Sequence, residues 1–129
     1  MSAEQEARWI NEARIVIASA QVTAAPSVDD QRNPYARGLH LVIDITQLTA
    51  TQTVTVTIQG KDPLSGKYYT ILASTALAAV ATTVLKVYPG LPVAANSTAN
   101  DILPRDWRVA ITLANGLSTT FSVGALLVL

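Results

Sequence analysis

The segment from Thr51 to Leu72, TQTVTVTIQGKDPLSGKYYTIL, determines the fold class. Its first half alternates Thr or Gln with Val or Ile, a period of two that is typical of a half-buried β-strand. Gly, Asp-Pro and Ser-Gly then interrupt the alternation, and a Tyr pair begins a second apolar run. Proline fixes φ and glycine tolerates positive φ, so these residues favour a reversal of the chain. The segment therefore predicts two antiparallel strands joined by a turn.

The same alternation recurs along most of the chain. The stretch from Gly38 to Leu48 places its large apolar side chains on one face, and the stretch from Trp107 to Leu113 does the same before an Asn-Gly turn signal. About seven such strands, with turns between them and no helix-strand alternation, predict a single all-β domain, an antiparallel β-sandwich. The predicted core residues are Leu41, Ile43, Ile45, Val54, Val56, Ile58, Ile71, Leu85, Val87, Trp107, Val109, Ile111, Phe121 and Val123.

The first fourteen residues, MSAEQEARWINEAR, follow a different pattern. Ser2 and Gln5 have capping-box spacing, and charged residues recur at i, i+4 intervals, which favours a short helix. Trp9 and Ile10 are the only bulky apolar side chains here, too few for a stable isolated helix. We expect residues 1–14 to form a short helix or projecting arm. Without an apolar h-region, this segment is not expected to be a signal peptide.

Residues 15–129 are expected to form the sandwich domain. Its first strand, RIVIASAQVTA, places Ile15 and Ile17 on the same face if the alternation is unbroken. Two segments rich in Pro, Asn and Asp, residues 26–37 and 91–104, are predicted to be long loops. The alanine-rich stretch TALAAVA has no clean period and is compatible with either a short helix or an irregular crossover.

The composition restricts the function classes. The chain has 129 residues, of which 50% are hydrophobic and only 14% are charged, and its formal net charge is zero. Soluble domains carry about 25% charged residues, so this surface is unusually uncharged. A nucleic-acid partner is not expected, because phosphate neutralisation needs an excess of basic residues. No membrane span is expected, because the longest low-charge stretch, Tyr68 to Leu85, is broken by Thr and Ser and alternates too much for a membrane helix.

The residues that carry catalytic chemistry are scarce. His40 is the only histidine, and Asp44, on the same strand face, lies about 13 Å away along an extended strand. The two side chains cannot form a base and its orienting acid at that distance. The chain has no cysteine, which excludes disulfides and thiol nucleophiles. We therefore expect no enzymatic activity and no catalytic residue.

Candidate ligand sites are equally weak. Asp29-Asp30 and the group of Asn96, Asn100 and Asp101 are more typical of turns than of a metal site. The stretch GKDPLSGK lacks the G-x-x-x-x-G-K-[ST] spacing of a phosphate loop. We therefore expect no metal, no cofactor and no small-molecule substrate. A sugar-binding platform built from tyrosines and Trp107 is only a minor alternative. Adjacent tyrosines on a strand face opposite sides, so at most one of the pair can contribute to a given platform.

Several motifs resemble a family of small virion structural proteins of tailed bacteriophages. The resemblance covers roughly Gly38 to Leu129 and is carried by VTVTIQGKDPLSGKYYTIL, TTVLKVYPGL, LPRDWRVAITL and a short apolar final strand. It implies a non-enzymatic virion subunit, assembled in the host bacterial cytoplasm. The role that we expect first is a capsid decoration or cement protein that binds and stabilises the phage head lattice. The alternative is a tail or neck component, and the second alternative is a carbohydrate-binding β-sandwich module.

The expected partners are the major capsid protein, copies of the chain itself, or both. Neither the N-terminal arm nor the loops can bury much surface against a small sandwich, so they are the segments most available for contacts. Aromatic and large apolar anchors are frequent energetic centres of interfaces. The predicted interface residues are Trp9, Ile10, Pro34, Tyr35, Pro63 and Leu64.

Overall fold

A computed structural model describes residues 11–129, and the regular structure in this part of the chain is β-strand throughout. The strands are β1 (Glu12–Val22), β2 (Gln31–Arg32), β3 (Gly38–Leu48), β4 (Val54–Lys61), β5 (Tyr68–Ala73), β6 (Thr82–Val87), β7 (Thr98–Ala99), β8 (Asp106–Leu113) and β9 (Thr119–Val128). They form a five-stranded sheet A in the order β1-β9-β3-β6-β7. A four-stranded sheet B has the order β2-β8-β4-β5.

The strands pair in a nested order. The innermost pair is β4 with β5, followed outward by β3 with β6, β2 with β8 and β1 with β9, all antiparallel. Successive pairs alternate between sheets B and A, so the chain is a long hairpin rolled into two facing sheets. This topology is the jelly roll. The predicted all-β antiparallel sandwich is confirmed.

The core lies between the two sheets. On β4, Val54, Val56 and Ile58 are fully buried, whereas the Thr and Gln residues between them are half-buried. The same alternation on β3 and β9 supplies the opposite wall of the core. All predicted core residues except Ile71 are buried. A slip of one residue on any of these strands would expose its whole apolar set, so the register is strongly specified.

Two β-bulges overturn predictions that assumed unbroken alternation. A register shift in the β4–β5 pairing places Leu72 in the core and leaves Ile71 only half-buried. A shift on β1 separates Ile15 from Ile17: Ile17 packs against the core, but Ile15 is 80% exposed. In each case an extra residue on one strand opposes a single residue on the partner, which reverses the facing of the residues that follow.

Strand β1 begins at Glu12, within the stretch predicted as a helix or arm. Glu12 lies opposite Leu127, so pairing with β9 determines the conformation there. Residues 1–10, the rest of the predicted helix or arm, lie outside the described residues. The predicted loops contain the two-residue strands β2 and β7, and the alanine-rich stretch is an irregular connection with a single bridge at Leu77.

Val56→Asp tests the assignment of the core. The substitution places an unpaired charge where the side chain is fully buried, and we expect it to destabilise the fold by about 4 kcal/mol or more. Thermal unfolding followed by circular dichroism measures the effect. Thr57→Asp is the matched control, because its side chain is on the outer face of the same strand. A cooperative melt of Val56→Asp at the wild-type temperature would contradict the assignment.

Candidate interaction surface at one end of the sandwich

The strand directions bring three connections to the same end of the sandwich, which we call the loop end. These are residues 33–37 between β2 and β3, residues 62–67 between β4 and β5, and residues 88–105 between β6 and β8. Asn11 also lies at the loop end, because the backbone N–H of Leu129 donates to its side-chain oxygen at 3.1 Å. The chain therefore enters and leaves the described fold beside these loops.

Four of the six predicted interface residues lie at the loop end. Pro34 and Tyr35 belong to the first of its loops, and Pro63 and Leu64 belong to the second. The structure thus places two pairs that are distant in sequence at the same end of the sandwich. Trp9 and Ile10 lie outside the described residues.

The turn of residues 62–67 is held by one carboxylate. Asp62 accepts the backbone N–H of Leu64 at 3.0 Å and the hydroxyl of Ser65 at 2.7 Å. These hydrogen bonds, with the one from Leu64 as the main cause, lower the pKa of Asp62 below its ordinary value. Gly66 has a φ of 74°, which glycine adopts without steric cost. The turn is therefore well defined, and it presents Leu64 with 95% of its surface exposed.

Asn33 joins the first loop to the third. Its side chain is buried, and its amide nitrogen donates to the backbone oxygens of Ala36 at 2.7 Å and Leu103 at 2.9 Å. Its amide oxygen accepts the backbone N–H of Ala36 at 2.8 Å. The backbone N–H of Asn33 also donates to the carbonyl of Arg105 at 2.6 Å. A single polar side chain thus fixes the loop that presents Pro34 and Tyr35.

The third loop, residues 88–105, is also hydrogen-bonded internally. Asn100 accepts the backbone N–H of Gly90 at 2.7 Å, and strand β7 within the loop pairs with the end of β6. Two large apolar side chains nevertheless point outward from it, Val93 with 74% and Ile102 with 59% of their surface exposed. The loop therefore presents apolar groups on an ordered backbone, as the turn does with Leu64.

A cleft of about 360 Å³ lies between the second and third loops. Its lining consists of Lys61, Pro63, Tyr69, Pro104, Arg105 and Asp106. The ring of Tyr69 lies over Gly60, and a methyl group at position 60 would overlap it. Arg105 and Asp106 are 3.7 Å apart, the surface ion pair expected from their adjacency. The cleft therefore combines an aromatic face with charges of both signs.

A polar cluster lies beside the cleft on the outer face of sheet B. Asp30 accepts hydrogen bonds from Lys61 at 2.8 Å and from the hydroxyl of Tyr68 at 2.6 Å. The guanidinium of Arg108 stacks on the Tyr68 ring at 3.4 Å from its centroid, and Arg108 donates to Gln59 at 2.8 Å. A cation over an aromatic face is attracted by the ring quadrupole. The cluster thus ties the segment before β2 to the neighbouring strands.

The charges of this cluster stabilise one another. The hydrogen bond from Lys61 is the main cause that lowers the pKa of Asp30, and the hydrogen bond from Tyr68 adds to it. The same contact raises the pKa of Lys61. Both groups lie at the surface, so water screens the pair and its contribution to stability is small. Its structural role is to position Tyr68 and the segment before β2.

The aromatic side chains are separated rather than grouped. Tyr68 lies under Arg108 on the outer face of sheet B, Tyr69 faces the other way over Gly60, and Trp107 is fully buried. His40 lies half-buried on the outer face of sheet A. Among residues 11–129 there is no group of three or more His, Cys, Asp or Glu side chains placed to hold a metal ion. That range likewise contains no helix long and apolar enough to cross a membrane.

No protein-family model matches the chain, and the curated proteins contain no match to it either. Among solved structures, it is similar to chains in two structures of infectious bursal disease virus, from the Gx and Gt strains. The identities are 11% and 12%, with TM-scores of 0.48 and 0.45. Each match covers 90% of this chain but only 31% and 32% of the viral chains. This chain therefore spans about a third of the length of the viral chains. The jelly-roll topology follows from the strand pairing of this chain alone.

Several residues of the loop end were not identified from the sequence. Val93 and Ile102 lie in loop sequence that has no strand or helix period, so the sequence does not indicate whether their side chains are exposed. The contacts of Asp30 with Lys61 and Tyr68 join residues that are far apart in sequence, so local patterns contain no sign of them. Pro104 is an exception, because the sequence does contain a sign of its position: a proline that closes a long loop just before a strand.

Asn33→Ala tests whether one buried amide organises the loop end. The substitution leaves the backbone groups of Ala36 and Leu103 without their partner, and we expect a loss of about 1–3 kcal/mol in unfolding free energy. Hydrogen exchange is expected to accelerate in residues 33–37 and 100–105 but not in β4. Gln21→Ala is the control, because it removes an exposed side-chain amide on β1, outside these loops. Equal protection of residues 33–37 in wild type and variant would show that Asn33 does not hold them.

Lys61→Met tests the polar cluster. The pKa of Asp30 is lowered below the ordinary value of 3.8, so its contribution to stability is complete above that pH and is lost as pH falls through the folded-state pKa. Without the ammonium group the pKa of Asp30 is expected to rise toward 3.8, measured by NMR titration of its carboxyl carbon. Lys67→Met is the control for removal of a positive charge. An unchanged Asp30 titration would show that Lys61 is not the main cause.

Proposed function

We propose that the protein is a non-enzymatic virion structural subunit that binds a phage head lattice through its loop end, as a capsid decoration or cement protein. The observation that carries this proposal is the exposure of Leu64, Val93 and Ile102 on hydrogen-bonded loops. Large apolar side chains held exposed on ordered loops favour a contact role for this end of the protein. Ordered loops lose little conformational entropy on binding, which favours affinity.

The remaining features support the same proposal. The motifs of residues 38–129 resemble small virion structural proteins of tailed bacteriophages, and jelly rolls are frequent in viral capsid domains. The low proportion of charged residues suits a subunit whose surface is covered by neighbours. The partner proposed for the loop end is the major capsid protein. The location is the virion, after assembly in the host bacterial cytoplasm.

Residues 1–10 are proposed to contribute to the same contact. The first described residue, Asn11, lies at the loop end beside Leu129, and residues 1–10 precede it in the sequence. A buried tryptophan at an interface is often worth about 2 kcal/mol or more. The arm and the loops are therefore proposed to form one attachment surface.

Two other roles remain to be distinguished from head decoration. A tail or neck component uses the same kind of apolar contact, and immunogold labelling of intact particles separates head from tail. A carbohydrate-binding module would use the cleft beside the half-exposed Tyr69. Saturable binding of an oligosaccharide that is lost in Tyr69→Ala would support that role instead.

Leu64→Asp tests the attachment surface. Binding to phage heads that lack the subunit is measured by co-sedimentation, and we expect the affinity to fall at least about tenfold, which corresponds to about 1.4 kcal/mol. Val80→Asp is the matched control, because Val80 is an exposed apolar residue, 60% accessible, in the β5–β6 connection at the opposite end. Deletion of residues 2–10 in the same assay measures the contribution of the arm. Wild-type binding by Leu64→Asp and by the deletion would contradict the proposal.

A further inference from the structure

The outer face of sheet A has an apolar row at its centre. The pairing register aligns Ile15 of β1, Gly124 of β9, Val42 of β3 and Val84 of β6 across four adjacent strands. Val42 and Val84 lie on the outer face, because Leu41, Ile43 and Leu85 beside them are buried in the core, and Ile15 is 80% exposed. Gly124 contributes a position without a side chain. The row therefore lies on a face that no other part of residues 11–129 covers.

A groove runs beside this row. It has a volume of about 300 Å³ and follows the boundary between β1 and β9, where the β1 bulge and Gly124 leave room. Ile15 forms one wall with 80% of its surface exposed. The face thus carries an exposed apolar side chain beside an apolar depression.

Opposite charges flank the apolar row on its two sides. Asp44 lies in the row on one side, opposite Thr82 and Ser122, whereas Lys86 lies in the row on the other side, opposite His40. Asp44 and the Lys86 row are four residues apart along the strands, about 13 Å. Within the described part of the chain neither side chain forms a salt bridge. The acid and the base are therefore too far apart to pair within one molecule.

The outer face of sheet B differs in chemistry. Thr55 and Thr57 of β4 lie opposite Thr112 and Ala110 of β8, and the Asp30 cluster occupies the end near the loops. In the described residues, this face has no continuous apolar row. It also has no acid and base that flank such a row without a salt-bridge partner. The two outer faces of the sandwich are thus not equivalent.

We propose that a second copy of this chain covers the outer face of sheet A across a two-fold axis that runs along the apolar row. Rotation about that axis reverses the strand direction and places the row of Asp44 against the row that holds the second copy's Lys86. Two symmetry-related ion pairs then flank a central contact between the two apolar rows. The interface is isologous, because each copy contributes the same residues.

The size of the face determines how strong this contact is. Four strands spaced about 4.8 Å apart and three rows of side chains give roughly 400 Å² per copy, or about 800 Å² in total. That is below the roughly 1,200–2,000 Å² of stable specific interfaces, so the contact is weak and the dimer dissociates readily at low concentration. The contact is independent of attachment through the loop end, since it lies on a face of the sandwich and requires no capsid partner.

Charge reversal on the full-length chain tests the proposal. Sedimentation velocity from about 10 μM to 1 mM, the range in which a contact of this size is measurable, is expected to show a monomer–dimer equilibrium. Lys86→Glu is expected to raise the dissociation constant at least about tenfold, and the double variant Asp44→Lys/Lys86→Glu is expected to restore it. Lys67→Glu makes the same change in net charge away from sheet A and is expected to leave it unchanged. A wild-type chain that stays monomeric, or a double variant no better than Lys86→Glu, would overturn the proposal.

Cross-linking gives a second, geometric test. The chain has no cysteine, so Val42→Cys introduces a single thiol close to the proposed axis. Under mild oxidation we expect rapid formation of a disulfide-linked dimer. Thr57→Cys is the matched control, because Thr57 lies half-buried on a central strand of the outer face of sheet B. Equal rates for the two variants would show that sheet A is not the contact face.

Discussion

The double pairing of strand β9 is the interaction on which the sandwich depends. β9 lies between β1 and β3 and pairs with both along most of its length. Its inward residues, among them Phe121, Val123 and Leu127, are buried against sheet B. Without this last segment β1 has no partner and the core loses one wall. The structure is therefore completed by contacts between the two ends of the chain, a non-local topology that is typical of slowly folding β-proteins.

The same pairing builds the loop end. The backbone N–H of Arg37 donates to Val128 at 2.9 Å, and the hydroxyl of Tyr88 donates to Leu129 at 2.9 Å. The end of β9 thus anchors the beginning of β3 and the loop after β6. Because these anchors are part of the sheet, the apolar residues that the loop after β6 exposes are held by the fold itself. Exposure at this end does not result from loose local structure.

Two buried amides perform equivalent roles at the two ends. Asn33 joins loops at one end, and Gln52 at the other donates to the carbonyls of Asn115 and Leu117 at 2.9 and 2.6 Å. Gln52 is 1% exposed and its oxygen also accepts the backbone N–H of Thr53. A buried amide is tolerated only when its donors and acceptors are satisfied, and both side chains meet that condition. Each therefore specifies one arrangement of the turns around it.

The sequence pattern predicts some levels of this structure and not others. Val54, Val56 and Ile58 were identifiable as core because alternation is a local property of one strand. Ile15 and Ile71 were misplaced because a bulge depends on the partner strand, which no local pattern records. Pro63 and Leu64 were identifiable as a turn from their residue types. Their position beside residues 33–37 follows from the nested pairing, and the jelly-roll topology was not predicted.

The two proposed contacts lie on different parts of the sandwich and are compatible in one subunit. Leu64 lies on a loop at one end, whereas Val42 lies at the centre of the outer face of sheet A. A subunit bound to a lattice through its loop end therefore leaves sheet A free for a neighbouring copy. A contact that holds only a fraction of the copies together in dilute solution becomes more effective when the lattice holds them close, because binding is then intramolecular at a high local concentration. A small, weakly charged subunit is suited to this arrangement, since each contact needs to supply only part of the affinity.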